Sequence, residues 1–414
     1  MKVCIVGTGN QGTGVAGLLA QEKDVEELVL VDIEKAKAEK AKALIEGLGE
    51  RCLAGEILAV QGDAADVEQI AGIAQGMDMI FNGIYAAYNY PLMRACLKVG
   101  AHYMDLRSNV MEGPEIPYRE TIDAQFEMDE EFKEAGITAC PCMGVSPGWA
   151  NMAANYMIEE MDTVDSVIFR NIDWIDSDIL LAPIAPRNIF ALWLGPPHPT
   201  RIINGTPEKI GLLESEEEYE FPKPAGKQKI YTFTNDPDIV LVSKFSKKPL
   251  PHIEGKMGIC MGGLEMKDMW LKAISEQTAK HSGAENMFDT FGESLAYNTN
   301  FKEFMDQGVL RDGMLAISIE VTGKKKGVAV RHTAFHAATM SEAMKHLPWA
   351  GHNVYGTIGS FVIEMILMLC RGEYTKRGVI NVAELWPEKE MWDEKIGARG
   401  IILMEKIEKG TQLF

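Results

Sequence analysis

The segment Gly7-Thr8-Gly9-Asn10-Gln11-Gly12 constrains this chain most. It fits the pattern Gly-x-Gly-x-x-Gly, follows the apolar run Lys2–Val6 and opens a helix-like stretch, Gly12–Ala20. In a strand–turn–helix that holds a pyrophosphate, each glycine has its own task. The first permits the tight turn, the second lets the backbone approach the anion, and the third lets helix and strand pack closely. Amides at the helix start then face the phosphates, with Asn10 and Gln11 beside them. The pattern alone is weak; its place between strand and helix gives it meaning.

Asp32 lies 20 positions after Gly12, at the end of a second apolar run, Leu28–Asp32. A carboxylate there accepts hydrogen bonds from ribose hydroxyls and repels a 2′-phosphate. Ile33 and Glu34 follow, with no arginine beside Asp32, which favours NAD over NADP; Lys35 and Lys37 keep NADP open. Asp63 ends a third run, as an adenine-side contact or a turn residue capping the next helix.

Strand candidates Lys2–Val6, Leu28–Asp32, Ile57–Gln61, Met79–Asn82 and His102–Leu106 alternate with helix candidates Gly12–Ala20, Glu34–Leu48, Val67–Ala74 and Pro91–Val99. This rhythm predicts an α/β fold, a Rossmann doubly wound parallel sheet. Asp123–Ala135 reads as a helix, Ile137–Cys140 as a strand and Gly148–Met161 as a helix. Then the rhythm changes. Asp165–Asn171, Lys229–Phe233, Ile239–Ser243, Lys256–Cys260 and Met314–Thr322 read as strands of a mixed sheet in a second, α+β domain. Gly323-Lys324-Lys325-Lys326-Gly327 reads as a hairpin turn, Glu214–Glu220 as a surface loop and Gly351–Cys370 as one long apolar helix ended by Arg371-Gly372. The expected domains are 1–122, dinucleotide-binding; 123–350, substrate-binding and dimerisation; and 351–414, a segment returning to the first.

Sixty acidic residues against 41 basic ones give a net charge of −19, which argues against nucleic-acid and anionic-membrane partners. The longest apolar stretch, Phe361–Leu369, is too short to span a bilayer and contains Glu364. The chain opens directly on a strand, so no signal peptide is expected. Seven scattered cysteines read as reduced thiols in a cytoplasm.

Several further stretches carry a resemblance. These are Phe81-Asn82-Gly83-Ile84-Tyr85-Ala86-Ala87-Tyr88-Asn89-Tyr90-Pro91-Leu92-Met93, Gly100-Ala101-His102-Tyr103-Met104-Asp105-Leu106 and Gly144-Val145-Ser146-Pro147-Gly148-Trp149-Ala150-Asn151. Phe221–Lys227, Tyr231–Val242, Leu369–Glu373 and Gly378-Val379 add to it. In these the chain resembles the saccharopine dehydrogenase family, which includes saccharopine reductases, lysine 6-dehydrogenases and carboxynorspermidine dehydrogenases. The resemblance implies a two-domain subunit, usually oligomeric, here a homodimer. It implies hydride transfer between a nicotinamide cofactor and an amine or imine carbon of an amino acid or related amine. It also places Asn82 and Asn151 beside the cofactor. Tyr85-Ala86-Ala87 departs from the family's Pro-Pro or Pro-aromatic pattern. Two other readings are a carbonyl or enoyl reductase of the same fold and a non-catalytic NAD(H)-binding sensor.

In an open α/β sheet the chemistry lies outside the carboxyl ends of the strands, which selects Tyr85, Asn89, Asp105 and Arg107. Asp105 is placed to hold an ammonium group or relay a proton, or to cap the next loop. Arg107 is placed to clamp a substrate carboxylate, or to pair with Asp105 or Glu112. Tyr85 lines the nicotinamide pocket or the core; for Tyr88 the core is favoured. Trp149 and Asn151 begin a helix, where Asn151 holds nicotinamide or caps the helix. Trp174, with Asp176 and Asp178, reads as a loop that shapes a substrate pocket or is simply exposed. Cys140 and Cys142 read as buried thiols. His332 and His336 share a face, but no acidic residue at matching spacing completes a metal site. His252 is an isolated loop histidine, and Arg187 and Arg201 have no assigned role.

Overall fold

The computed structural model describes residues 1–110, 117–184, 200–211, 213–233, 236–269, 300–359 and 361–410. Glu112 and Arg187 lie outside the described residues. The chain forms two compact units. One holds Met1–Met152 and Thr357–Arg399, the other Ala153–Gly356 and the chain from Gly400 on.

The first unit begins with strands β1 (Lys2–Val6), β2 (Glu27–Asp32), β3 (Glu56–Gln61), β4 (Met79–Asn82), β5 (His102–Asp105) and β6 (Thr138–Cys140). Between them run helices α1 (Asn10–Leu19), α2 (Lys35–Glu46), α3 (Val67–Ile73), α4 (Asn89–Val99), α5 (Ile122–Phe126) and α6 (Asp129–Glu134). The expected strands and first four helices are all present, with ends shifted by a few residues. Val3–Val6, Leu28–Val31 and Met79–Phe81 are buried without alternation, because both faces of a parallel sheet are covered. The predicted single helix over Asp123–Ala135 is instead two, broken at Glu127-Met128. The sheet is wholly parallel, in the order β16-β6-β5-β4-β1-β2-β3, where β16 is Gly378-Val379. Strand order reverses between β1 and β4, so their carboxyl ends form the switch point where an open sheet leaves room for a ligand.

Helix α7 (Trp149–Glu159) contains the boundary between the units. The expected break after residue 122 is therefore too early: α5, α6 and β6 extend the first unit, and β6 is a strand of its sheet.

The second unit holds a ten-stranded mixed sheet. Its strands are β7 (Thr163–Ser177), β8 (Thr200–Ile203), β9 (Thr206–Lys209), β10 (Glu217–Glu220), β11 (Lys227–Thr232), β12 (His252–Met261), β13 (Leu264-Glu265), β14 (Leu310–Lys325), β15 (Val328–Thr339) and β17 (Ile402–Lys409). Along the main path they run β10-β11-β12-β7-β14-β15-β17. Lys326-Gly327, both at positive φ (53° and 73°), close the β14–β15 hairpin as the two-residue turn its twist requires.

Helices α8 (Pro237–Phe245), α9 (Phe301–Asp306), α10 (Met340–His346), α11 (His352–Ile358), α12 (Phe361–Cys370) and α13 (Lys389–Ala398) complete the elements used below. Three expectations are corrected. Ile239–Ser243 is helical, not a strand; Asp236 caps the helix through Asp238 N (3.0 Å) and Pro237 opens it, a start signal that outweighs the β-branched run. Glu217–Glu220 is a strand rather than a loop, paired with β11. The 351–414 segment divides: β16 joins the first sheet, β17 the second.

Together α11 and α12 have the length and composition to cross a membrane, yet 82% of that window is buried in the protein. Core packing accounts for their apolar character. Asp173, absent from the sequence reading, is a fully buried anchor of the second unit: it accepts from Asn353 Nδ2 (2.5 Å) and lies 2.7 Å from His352 Nε2.

Candidate functional site

At the switch point the three glycines differ physically. Gly7 has φ +92°, open to glycine but strained for other residues. A Cβ on Gly12 would meet the Gly7 carbonyl oxygen at 1.8 Å, so nothing larger lets α1 start so close to β1. A Cβ on Gly9 would have no described atom within 4 Å. The second glycine thus faces open space, where a ligand backbone would pass. Among the described residues no side chain caps α1, its first turn has no acidic residue, and both polar atoms of the Asn10 amide are buried without a partner. An uncapped, unopposed helix start with an idle amide fits a bound pyrophosphate.

Asp32 backs this cradle. Its Oδ2 accepts from Thr8 N (3.0 Å) and Thr8 Oγ1 (2.9 Å), and its Oδ1 from Glu34 N (3.0 Å). A carboxylate has about four acceptor positions, so capacity remains for a ribose hydroxyl. Thr8, which the sequence reading passed over, couples that carboxylate to the glycine loop. Lys37 Nζ is engaged by Glu34 (2.6 Å) and Lys35 Nζ by Glu39 (4.0 Å), so both lysines beside Asp32 have acidic partners. The hydrogen bond to Glu34 raises the Lys37 pKa, with smaller contributions from Asp32 and Tyr85. The Tyr85 side chain, on the loop after β4, is 50% exposed. Ile33 and Ile84 are also exposed. Asp63 is exposed and forms a turn, its Oδ1 accepting from Ala65 N (2.9 Å).

At the carboxyl ends of β4 and β5 the remaining candidates form a buried network. Asn82 Nδ2 donates to Asn89 Oδ1 (2.6 Å), and Asn82 Oδ1 accepts from Ile84 N (2.9 Å). The Asn89 amide donates to Arg107 O (3.0 Å), Ser108 Oγ (3.1 Å) and Gln125 Oε1 (3.2 Å). Asp105 Oδ2 accepts from Gln125 Nε2 (2.8 Å) and Tyr103 Oη (2.9 Å), and Oδ1 from Cys142 N (2.8 Å). Burial raises the Asp105 carboxyl to about 6, while these donors pull it back down. Asn89 and Asp105 are 1% exposed, so the structure makes them anchors of the loops after β4 and β5. Arg107, one step outside the network, is half-buried.

Trp149, which begins α7 as expected, is 1% exposed, and its Nε1 donates to Asp393 Oδ1 (2.9 Å) on α13. Asn151 is fully buried and its Oδ1 accepts from Gly148 N (2.9 Å), a capping contact at the start of α7. Trp174 lies in the second unit, on β7 rather than a loop, packed beside Ile172, Phe221 and Met314. Asp176 is also on β7 and Asp178 just beyond it; both pair with Arg311 (2.5 and 2.6 Å). Arg201 pairs with Glu208 (2.9 Å). Tyr88 packs against the core of the first unit, and Cys140 and Cys142 are buried free thiols. His252 begins β12, 3.3 Å from Glu254. His332 lies 3.3 Å from Glu405, and His336 is fully buried, its pKa lowered to about 3 by burial. Among the described residues no group of three or more His, Cys, Asp or Glu is arranged to hold a metal.

A glycine cradle at the switch point of a parallel sheet, backed by a carboxylate on the next strand, defines a dinucleotide-binding protein of Rossmann type. Residues 3–140 match the family model of the saccharopine dehydrogenase NADP binding domain. A carboxynorspermidine synthase of Vibrio cholerae serotype O1 is 26% identical over 413 residues, covering 94% of this chain and 93% of that protein. Apo saccharopine dehydrogenase (L-Glu forming) from Saccharomyces cerevisiae shares the fold: TM-score 0.68, 12% identity, 98% of this chain and 99% of that one. Homospermidine synthase from Legionella pneumophila, in complex with NAD, does too: TM-score 0.67, 12% identity, 100% and 92% covered. Residues 3–140 thus match a saccharopine dehydrogenase NADP binding domain, and over nearly its whole length the chain is similar to a carboxynorspermidine synthase.

Proposed function

We propose that this protein is an NAD-dependent dehydrogenase, or imine reductase in the reverse direction, acting on a carbon–nitrogen bond of an amino acid or related amine. The observation that carries the reading is the Asp32-backed glycine cradle, in a chain matching a carboxynorspermidine synthase over 94% of its length. The bound nicotinamide supplies or accepts the hydride. The protein supplies position: Gly7, Gly9, Asn10, Gln11 and Gly12 receive the pyrophosphate and Asp32 the adenosine ribose. Arg107 clamps a substrate carboxylate. Asn82, Asn89 and Asp105 fix the loops that carry Tyr85 and Arg107, and Tyr85 lines the nicotinamide pocket. Asp63, Asn151 and Trp149 support the cofactor site without touching reacting atoms. We assign the second unit the dimer contacts and part of substrate selection. Seven free cysteines favour a reducing, cytoplasmic setting.

The family model bears NADP in its description, so cofactor choice is the decisive test. NADH absorbance is followed at alkaline pH with lysine, saccharopine, ornithine and carboxynorspermidine, with NADP in parallel. NAD is expected to be reduced with at least one of them. Asp32→Ala should raise KM for NAD about 10- to 100-fold, the worth of a charged hydrogen bond, and change KM for NADP far less. Equal losses with both cofactors, or a wild-type preference for NADP, would overturn the assignment to NAD. Silence with every amine alongside tight NADH binding would overturn the carbon–nitrogen reading.

A further inference from the structure

The two ends of the second sheet are built differently. At one end β10 is four residues long and reads Glu217-Glu218-Tyr219-Glu220. Its charged side chains, Glu218 paired with Lys227 (2.6 Å) and Glu217 with Lys256 (2.9 Å), and its shortness are usual ways of protecting a sheet edge. At the other end β17 is eight residues long, has no proline and pairs with β15 in unbroken register. Ile402, Met404 and Ile407 on it are 41%, 44% and 53% exposed. Among the described residues nothing pairs with its outer edge.

The register states which backbone groups that edge offers. Gly410 N donates to Ala329 O across the β15–β17 ladder. In an antiparallel pair, hydrogen-bonded positions alternate, so Glu408, Lys406, Met404 and Ile402 also face β15. The N–H and C=O groups of Leu403, Glu405, Ile407 and Lys409 therefore point outward.

We infer that β17 pairs antiparallel with β17 of a second copy of this chain, on a two-fold axis through Ile407, joining the two sheets into one. Residues opposite one another across such an axis share a face. Ile407 meets Ile407 of the second copy, and Glu405 meets Lys409 on the same face, twice by symmetry. On the other face Lys406 meets Glu408, again twice. The outward groups of Glu405, Ile407 and Lys409 then bond across the seam. A register centred on Glu405 would set that carboxylate against itself, and one centred on Leu403 would overlap only three residues of β17. The two lysines do not protect this edge as lone charges would, because each finds a glutamate. The inference rests on the homodimer expected above and locates its contact.

Sedimentation velocity on the full chain tests it without cofactor or substrate, so its outcome is independent of the enzymatic reading. The wild type is expected to be a dimer. Lys406→Glu places two glutamates opposite each other, and Glu408→Lys two lysines; each alone should weaken the dimer about 10- to 100-fold. Mixing the two variants restores both ion pairs, so a heterodimer of near wild-type affinity should form. That rescue requires both variants to be folded, which excludes misfolding as the cause of dissociation. Ile407→Pro removes an outward donor and should dissociate the dimer without rescue. A monomeric wild type, or a dimer indifferent to all three variants, would overturn the interface. Single variants that dissociate but fail to rescue one another would overturn this register.

Discussion

Gly9→Ala is expected to leave the fold intact and abolish tight cofactor binding, while Gly12→Ala destabilises the first unit. A methyl at Gly9 touches nothing described within 4 Å, so melting without ligand should shift by no more than about 1 °C. The same methyl would stand in the path proposed for the pyrophosphate, and NADH affinity should fall at least about 10-fold. At Gly12 the methyl would sit 1.8 Å from the Gly7 carbonyl oxygen. That oxygen is main chain next to a strand end and cannot rotate aside. Overpacking of this kind costs about 1–3 kcal/mol, and a rigid backbone obstacle puts it at the upper end. The better helix propensity of alanine offsets under 1 kcal/mol. A melting point lowered by about 5–10 °C is expected. Thermal denaturation of both variants, with and without NADH, separates the two effects. Equal destabilisation would remove the distinction between a packing glycine and a ligand-facing one.

The second large effect belongs to Asp105. Asp105→Ala strands three donors in a fully buried place, Tyr103 Oη, Gln125 Nε2 and Cys142 N. A loss of about 3–5 kcal/mol is expected, with a raised substrate KM in the remaining folded enzyme because the loop carrying Arg107 loses its anchor. Asp105→Asn keeps the volume and removes the titration. The folded carboxyl sits near 6, above its ordinary value of 3.8, because burial disfavours its charge. Its contribution is therefore fully present below about pH 4 and is lost as pH rises through 6. Across that window the stability of wild type relative to Asp105→Asn should fall by about 3 kcal/mol, at 1.36 kcal/mol per pH unit. Urea melts at pH 4, 5, 6 and 7 check this. A flat difference would mean that Asp105 is equally at ease in its folded and unfolded surroundings.

The sequence was most legible where local rules decide the structure. Buried parallel strands read as continuous apolar runs, and Gly7, Gly9, Gly12 and Asp32 announce their places by spacing together with the strands and helix beside them. Legibility failed where partners come from far along the chain. Asp105 was located at a strand end, but Gln125 and Cys142, which define its surroundings, stand 20 and 37 residues away. Trp149 is fixed by Asp393, 244 residues on. Asp173 gave no signal, since its partners His352 and Asn353 stand 179 and 180 residues further along. One miss was avoidable: Asp236-Pro237 before Ile239–Ser243 is a helix start, and a short β-branched run should not have outweighed it.

The chain leaves and re-enters each unit, passing between them at residues 152–153, 356–357 and 399–400. On the ribosome this order matters. The first sheet lacks strand β16 until Val379 has emerged, long after Cys140 of β6 has been made. The second lacks β17 until Lys409 is out. A nascent chain carrying the whole glycine cradle therefore still exposes the side of β6 that β16 will cover. Completion of both units waits on the last stretch of synthesis, and a premature stop near residue 375 deprives both sheets of a strand at once.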